Sequence, residues 1–448
     1  MSRSTPATLA LTLATALGGA LSAPAHAGEF VVPTGYNFES VPLGGAVVGF
    51  LDDGRTLLVA GDFGTNELLV RETDGSVRLY ATNIGSLAGV AQSPVTGQVV
   101  IGDSLLLPAL RILEDLNNDG DCLDAGEDVP HPAQPTPLSN GEAPVPFDLA
   151  FRPGTDELYM KGSTFTTPTL GVVNKVVGNT TTLWADGLAF PGSMVWEGDT
   201  LYTADLSESF VGRVITLRDE NADGDALDGG ELVEFAGGLS GAGGLARAAD
   251  GSFYLGGVFD TLVGGDFSGC VARLLPDDDG DGVTDGYTEC FADGFAFAGS
   301  LFLDEEVGTG FVPGVGGSGK LYVGDFTYPH GNRVIRPAPR ATASFDGVVG
   351  NNQTFDVVVG GRPGGVAFFL ASFDTSGGTV GGIGDLCIGL VNPYVSGLRT
   401  LGPGGEARWT IVLHDQPGLV GLELGVQGVV LRAGDYGLAA PLDTVVAP

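Results

Sequence analysis

Three stretches of this sequence set oxygen-bearing side chains on alternate residues around an Asp-Gly pair. They are EDLNNDGDCLDAGE (Glu114–Glu127), RDENADGDALDGGE (Arg218–Glu231) and PDDDGDGVTDGYTE (Pro276–Glu289). Alternate carboxylates and amides that converge on one point suit a hard cation, and Ca²⁺ takes about six to eight oxygens. The expected ligands are Asp115, Asn117, Asp119, Asp121 and Asp124 in the first run. In the second they are Asp219, Asn221, Asp223, Asp225 and Asp228, and in the third Asp277, Asp279, Asp281 and Asp285. Gly120, Gly224 and Gly282 allow the sharp turn, and Asp225 can offer its backbone carbonyl. One acidic Gly-rich turn alone is a common solvated surface feature; three in equivalent places favour calcium, the cofactor expected here.

Each run resembles the first half of an EF-hand or dockerin loop, in which a Glu at position twelve closes the metal shell. Here position twelve is Gly126, Gly230 or Thr288, with Glu127, Glu231 or Glu289 one residue later. The closing ligand is either one of these or Asp124, Asp228 or Asp285. The flanks read as strands where an EF-hand has helices.

The elements that carry the runs form a repeat. An aromatic-Ala pair recurs at Tyr80-Ala81, Trp184-Ala185, Phe235-Ala236 and Phe291-Ala292. Its period is about fifty residues, the first interval holding two units. Each unit opens with a hairpin: Val47–Asp62, Ala91–Asp103, Asp148–Gly162, Met194–Asp205, Leu245–Gly257 and, more loosely, Ser300–Asp325. Six such units between Val47 and Arg336 predict a six-bladed β-propeller, whose blades are four-stranded. The second half of each unit is another hairpin. It turns at Asp74-Gly75 in the first unit and near Gly178-Asn179 in the third, and the acidic runs replace that turn in the second, fourth and fifth. That puts them on the face away from the one where propellers usually bind ligands, so the calcium is expected to be structural.

The segments LYTADLSESFVGRVITL (Leu201–Leu217) and LYVGDFTYPHGNRVIR (Leu321–Arg336) resemble blades of NHL-type propellers, with an aromatic-rich strand ending in Asp, then Gly or Asn, Arg and an apolar residue. The resemblance covers about 290 residues and implies the fold. Propellers similar to these include gluconolactonases, quinone-dependent sugar dehydrogenases, lyases and binding scaffolds. After Pro337 the blade pattern stops, and short strands with Gly-rich turns run to the C-terminus, as in a β-sandwich. The fold class expected is therefore all-β: a propeller over residues 28–338, then a sandwich over 339–448.

On the expected ligand face, Asp62, Asp103, Asp205 and Asp325 each end a second strand. Repetition from unit to unit favours a structural role, in which they bond the following turn and pair with Arg213 or Arg333. His330 lies in the sixth-unit loop beside Tyr328, Asn332 and Arg333 and is the one histidine proposed as a general base. No nucleophile elbow, phosphate loop or His-Glu-x-x-His run is present. The favoured reading is a secreted, calcium-stabilised module that binds an extracellular ligand or surface, carbohydrate being the class considered. The alternative is an enzyme of the lactonase or quinone-dependent sugar dehydrogenase type at the channel mouth.

Composition bounds these readings. The first 27 residues run from Arg3 through an apolar stretch to Ala25-His26-Ala27, the order of a secretory signal peptide, so the chain is expected to be secreted, periplasmic or on the cell surface. No later stretch is apolar for long enough to span a bilayer as a helix. The 55 acidic and 20 basic residues leave a formal charge of −35, which repels nucleic acid and anionic membranes and attracts divalent cations. Export permits disulfides. Cys270 and Cys290 bracket the third acidic run and are placed to pair, whereas Cys122 and Cys387 either pair or stay free.

Overall fold

The computed structural model describes residues 36–41, 43–62, 65–105, 109–138, 141–164, 170–206, 211–259, 269–295, 298–304, 319–325, 332–337, 341–346, 349, 353–361, 365–373, 378–380, 384–386, 394–402, 406–413, 417–432, 435–438 and 442–447. These divide into two compact units. The first holds described residues 39–304 and 321–334; the second holds 36–38, 319–320 and 335–447.

Among the described residues, six four-stranded sheets follow one another along the chain. The first contains β2 (Ala46–Phe50), β3 (Thr56–Asp62), β4 (Thr65–Arg71) and β5 (Val77–Ile84). The second contains β6 (Leu87–Gln92), β7 (Val99–Asp103), β8 (Leu110–Leu113) and β9 (Asp128–Pro130). The third contains β10 (Val145–Phe151), β11 (Leu158–Ser163), β12 (Gly171–Val177) and β13 (Thr180–Leu188). The fourth contains β14 (Phe190–Glu197), β15 (Thr200–Leu206), β16 (Gly212–Leu217) and β17 (Leu232–Leu239). The fifth contains β18 (Leu245–Arg247), β19 (Phe253–Phe259), β20 (Gly269–Leu274) and β21 (Tyr287–Phe295). The last contains β22 (Ala298–Asp304), β23 (Lys320–Asp325) and β24 (Asn332–Pro337), and β1 (Tyr36–Val41), the first strand in the chain, is its fourth.

The first strand of each sheet lies beside that of the next: β2 by β6, β6 by β10, β10 by β14, β14 by β18, β18 by β22, and β22 by β2. Sheets placed side by side around a closed circle make a β-propeller. Their faces meet through apolar layers. Tyr159, Val173, Trp184 and Ala185 of the third sheet pack on Met194, Leu201, Ile215 and Leu217 of the fourth. Phe235 and Ala236 of the fourth pack with Leu245, Phe253 and Leu255 of the fifth. Each Val, Leu, Ile, Met or Phe side chain among these is worth about 1.5–3 kcal/mol when fully buried.

The aromatic-Ala repeat has a structural cause. It sits on the fourth strand where the pairing with the third strand slips twice, once at the aromatic residue and again after the Ala. Asn83 (φ 57°) and Gly187 (φ 78°) stand at the second slip in the left-handed region. Asn and Gly enter that region at low cost, and the aromatic ring then points into the sheet interface.

In the second unit, Ala341–Asp346 and Glu406–Val412 flank Thr354–Gly361, and Val366–Ser372 pairs with Glu423–Arg432 in a second sheet. One core joins the two sheets: Phe355, Val357 and Trp409 from the first, Phe369, Leu424 and Val426 from the second. Glu406, Arg408 and Thr410 alternate outward with Ala407 and Trp409 inward, the period-two pattern of a strand with one buried face.

Cys270 and Cys290 form the expected disulfide across β20 and β21. Cys122 is a buried free thiol. Cys387, His414 and the expected signal segment 1–27 lie outside the described residues. Among the described residues no helix is long and apolar enough to cross a membrane.

Candidate functional site

The three acidic runs join the third and fourth strands of the second, fourth and fifth sheets, as their sequence places predict. The first two are built alike. Asp115 accepts the N–H groups of Asp119 (3.1 Å) and Gly120 (2.7 Å), and Asp219 accepts those of Asp223 (3.1 Å) and Gly224 (2.9 Å). Asn117 lies between two acids, its amide donating to Asp119 (3.0 Å) and Asp124 (2.7 Å); Asn221 does the same to Asp223 (3.2 Å) and Asp228 (2.6 Å). Asp119, Asn117 and Asp124 therefore converge on one point, as do Asp223, Asn221 and Asp228. The amide oxygens of Asn117 and Asn221 face the loop backbone, accepting the N–H groups of Asp119 (2.8 Å) and Asp223 (2.9 Å). Asp121 and Asp225 cap the next turn through the N–H groups of Leu123 and Leu227, both at 3.1 Å.

Glu127 and Glu231 are buried. Glu127 accepts the N–H groups of Leu116 (3.0 Å), Asn117 (3.3 Å) and Asp124 (3.1 Å). Glu231 accepts those of Glu220 (2.9 Å), Asn221 (3.4 Å) and Asp228 (3.0 Å). One carboxylate thus clasps both ends of its loop. This engages both glutamates with backbone and leaves Asp124 and Asp228 facing the convergence point.

The third run is more acidic at its centre. Carboxylate oxygens of Asp277, Asp279 and Asp285 lie within 4.8 Å of one another. Desolvation opposes ionisation of Asp277, but the N–H groups of Gly282, Gly280 and Asp281 outweigh it and hold its carboxyl below the ordinary value. Asp279 accepts the Asp281 N–H, which favours its charged form, yet the charges of Asp281 and Asp285 overcome this and raise it. Carboxylates that repel one another at this range are relieved by a cation. Asp281 accepts the N–H of Val283 at 2.8 Å. The donor set fits calcium, which would neutralise the cluster and fix the turn.

Each loop also reaches the preceding sheet. The eighth residue, Cys122, Ala226 or Thr284, donates its N–H to the carbonyl of Tyr80 (2.8 Å), Trp184 (2.7 Å) or Phe235 (2.9 Å). These are the aromatic residues of the sequence repeat. The first loop is fastened further by Arg78, which donates to the carbonyls of Asp119 and Gly120 and pairs with Glu72 at 2.7 Å. Arg55 in the β2–β3 turn adds a bond to Gly120 at 3.3 Å. The loop therefore shares its side with a first-to-second strand turn.

Two of the strand-end acids are structural. Asp103 accepts the N–H groups of Gly85 (2.7 Å), Ser86 (3.1 Å) and Leu105 (2.9 Å). Asp205 accepts Ala189 N–H at 3.0 Å and pairs with Arg213 at 2.7 Å. Phe63, residues 260–268 and residues 326–330, including His330, lie outside the described residues, and the side chains of Asp62 and Asp325 belong with them.

The sequence reading missed a second cluster, where the third sheet departs from the repeat. The residue before the strand-end acid position is Gly61, Gly102, Ala204, Gly256 or Gly324 in five units and Lys161 in the third. Lys161 is fully buried. Its ammonium donates to Thr203 Oγ1 at 2.5 Å and to the Ala204 carbonyl on the fourth sheet. Opposite it in the β10–β11 register stands Asp148. Asp148 accepts the N–H groups of Leu149 (2.9 Å) and, on β14, Met194 (2.6 Å). It directly follows the bulge at Phe147, an exposed ring on the innermost strand. Burial pushes Asp148 up to about 7, against the pull of its N–H partners and of Lys161. Burial pushes Lys161 down to about 8, against the attraction of Asp205 and Asp148. An acid and a base exchanging protons near neutrality suit general acid–base chemistry.

No family model matches the chain, and no curated protein sequence does. Solved structures do. A luciferin-regenerating enzyme is 12% identical, with a TM-score of 0.45, covering 67% of this chain and 95% of its own. A putative gluconolactonase is 12% identical, with a TM-score of 0.42 and coverages of 68% and 93%. A gluconolactonase from Xanthomonas campestris is 14% identical, with a TM-score of 0.40 and coverages of 69% and 99%.

Proposed function

We propose that the chain is an exported, calcium-stabilised propeller of six blades with a C-terminal β-sandwich, and that it is an enzyme of the lactonase type. In this reading calcium sits in the acidic loops and stiffens the contacts between blades, while chemistry takes place on the channel side. The observation that carries the enzyme reading is Asp148: an acid on an innermost strand, beside a buried amine, titrating where a general base should. In lactone hydrolysis Asp148 takes a proton from the attacking water as oxygen bonds to the carbonyl carbon. The ring C–O bond then breaks, and the proton passes to the departing alkoxide. Polar groups already held in place make such a step cheaper than in water. A quinone-dependent dehydrogenase is less well supported, because its cofactor needs cationic partners. Lys161 is engaged with the fourth sheet, and Lys175 pairs with Glu157 at 2.8 Å.

The test is hydrolysis of a panel of γ- and δ-lactones by the calcium-loaded protein, with Asp148→Asn as control. Turnover lost in the variant supports the reading; no turnover on any lactone, or turnover equal in both, removes it. A second reading, a module that binds an extracellular carbohydrate, draws support from Asp103 and Asp205, whose carboxylates are given over to backbone and Arg213. Glycan binding without lactone turnover would favour it.

A further inference from the structure

We propose that Lys161 is a positioning residue for Asp148, its amine anchored on the fourth sheet across the register from the acid, so that the two act as one acid–base unit at the junction of the third and fourth sheets. This rests on the enzyme reading of Asp148 for its catalytic meaning, though not for its test.

The geometry carries it. Every other unit has Gly or Ala where Lys161 stands, which lets the neighbouring innermost strand come close; a Cβ on Gly102 would press on Pro146 of β10. In the third unit an amine fills that place. It is anchored on the fourth sheet rather than on the acid: its partners are Thr203 Oγ1 and the Ala204 carbonyl. An ammonium has three N–H donors and a neutral amine has two. Two acceptors in a fully buried site therefore suit an amine that gives up its proton readily. Among the described residues Asp148, directly across the register, is likewise bonded only to backbone N–H groups, those of Leu149 and Met194. Among the described residues neither group is in a direct ion pair, which would freeze both charges. The charged groups that face the amine are Asp148 on β10, Asp205 on β15 and Arg213 on β16, and Arg213 already compensates Asp205. The remaining balance lies between Lys161 and Asp148. When Lys161 is charged it favours the Asp148 carboxylate, the form that takes a proton from water.

The experiment is a ¹³C NMR titration of the aspartate carboxyl carbons in the full-length, calcium-loaded protein from pH 4 to 9, Asp148 being assigned by Asp148→Asn. Lys161→Met is expected to raise the Asp148 midpoint by about one unit, tenfold in its proton affinity, since a nearby opposite charge is lost. Lys161→Arg is expected to keep the wild-type midpoint within a few tenths. If Lys161→Met does not fold, Thr203→Val carries the test: it removes one anchor of the amine and should move the midpoint up by a smaller amount. An unchanged or lowered midpoint in the variant that folds overturns the proposal, as does a wild-type Asp148 midpoint in the ordinary carboxylate range. Titration as expected with no lactone turnover leaves the pair standing and removes only the enzyme reading.

Discussion

The third and fourth sheets are joined twice, by opposite means. At the outer side the loop Arg218–Glu231 lays its Ala226 N–H on the Trp184 carbonyl; Glu220, Asp223 and Asp228 are exposed, Asp219 and Asp225 half-buried and Glu231 buried. At the inner side Asp148 and Lys161 cross the same junction with no water-facing charge at the amine. Both use acids to accept backbone N–H groups. In the loop several carboxylates crowd together, and a cation is their natural partner. At the inner junction one carboxylate is desolvated, so its proton becomes labile near pH 7. A crowd of acids suits a cation, and a lone desolvated acid suits proton transfer.

Removing calcium should break the outer means and spare the inner one. Chelation is expected to lower the melting temperature by roughly 10 °C, recovered on adding Ca²⁺, because a ligand bound only by the folded state stabilises it. Unchanged calorimetric melting in EGTA would remove calcium from the outer junction. Next in size is Glu231→Ala, which strands three N–H groups inside the loop. About 3 kcal/mol of stability should be lost, read as a lower urea midpoint at saturating calcium. A loss below about 0.5 kcal/mol would mean that the clasp does not hold the loop.

The inner junction has its own signature in pH. Asp148 has a folded value of about 7 against an ordinary 3.8, so the native state holds the extra proton between these values. Its contribution is present in full below about 3.8 and is lost as pH rises through 7. Lys161 runs the other way: with about 8 against 10.5, its contribution is lost as pH falls through 8 and restored above 10.5. From these two groups the junction is weakest between about 7 and 8. Asp148→Asn should remove the acid limb, gaining on wild type by on the order of 2 kcal/mol between pH 5 and 7.5. Parallel stability curves for the two proteins would show that Asp148 titrates normally. The smallest effect expected is Arg78→Ala. It loosens a partly exposed fastening of the first acidic loop and should cost about 1 kcal/mol in the same urea assay.

The sequence exposed what repeats. Hairpins with a period near fifty placed the sheets and put the acidic runs between third and fourth strands, because alternation and turn chemistry are local. The aromatic-Ala pair was visible, but its purpose was not: the ring fills an interface and its carbonyl receives the next loop, a long-range bond. β1 was missed because six residues, YNFESV, far from their partner strand carry no unit pattern. Glu127 and Glu231 looked like misplaced metal ligands, since residue type does not say which way a side chain turns. Lys161 was legible only as an exception, Lys-Gly where sister units read Gly-Asp, Ala-Asp or, in the fifth, Gly-Gly, and Asp148 only through its register opposite Lys161. The sequence put the one general-base candidate at His330, outside the described residues, and assigned the recurring acids a structural role, whereas the distinctive pair sits where the repeat fails.

The most direct test compares rates at the two places. Lactone hydrolysis is measured at pH 7 and saturating calcium, below every melting transition, for wild type, Asp148→Asn and Arg78→Ala. Asp148→Asn should lose at least about 100-fold in kcat/KM, while Arg78→Ala stays within about twofold. Equal rates in wild type and Asp148→Asn, or equal losses in the two variants, would contradict the separation of chemistry from the calcium loops.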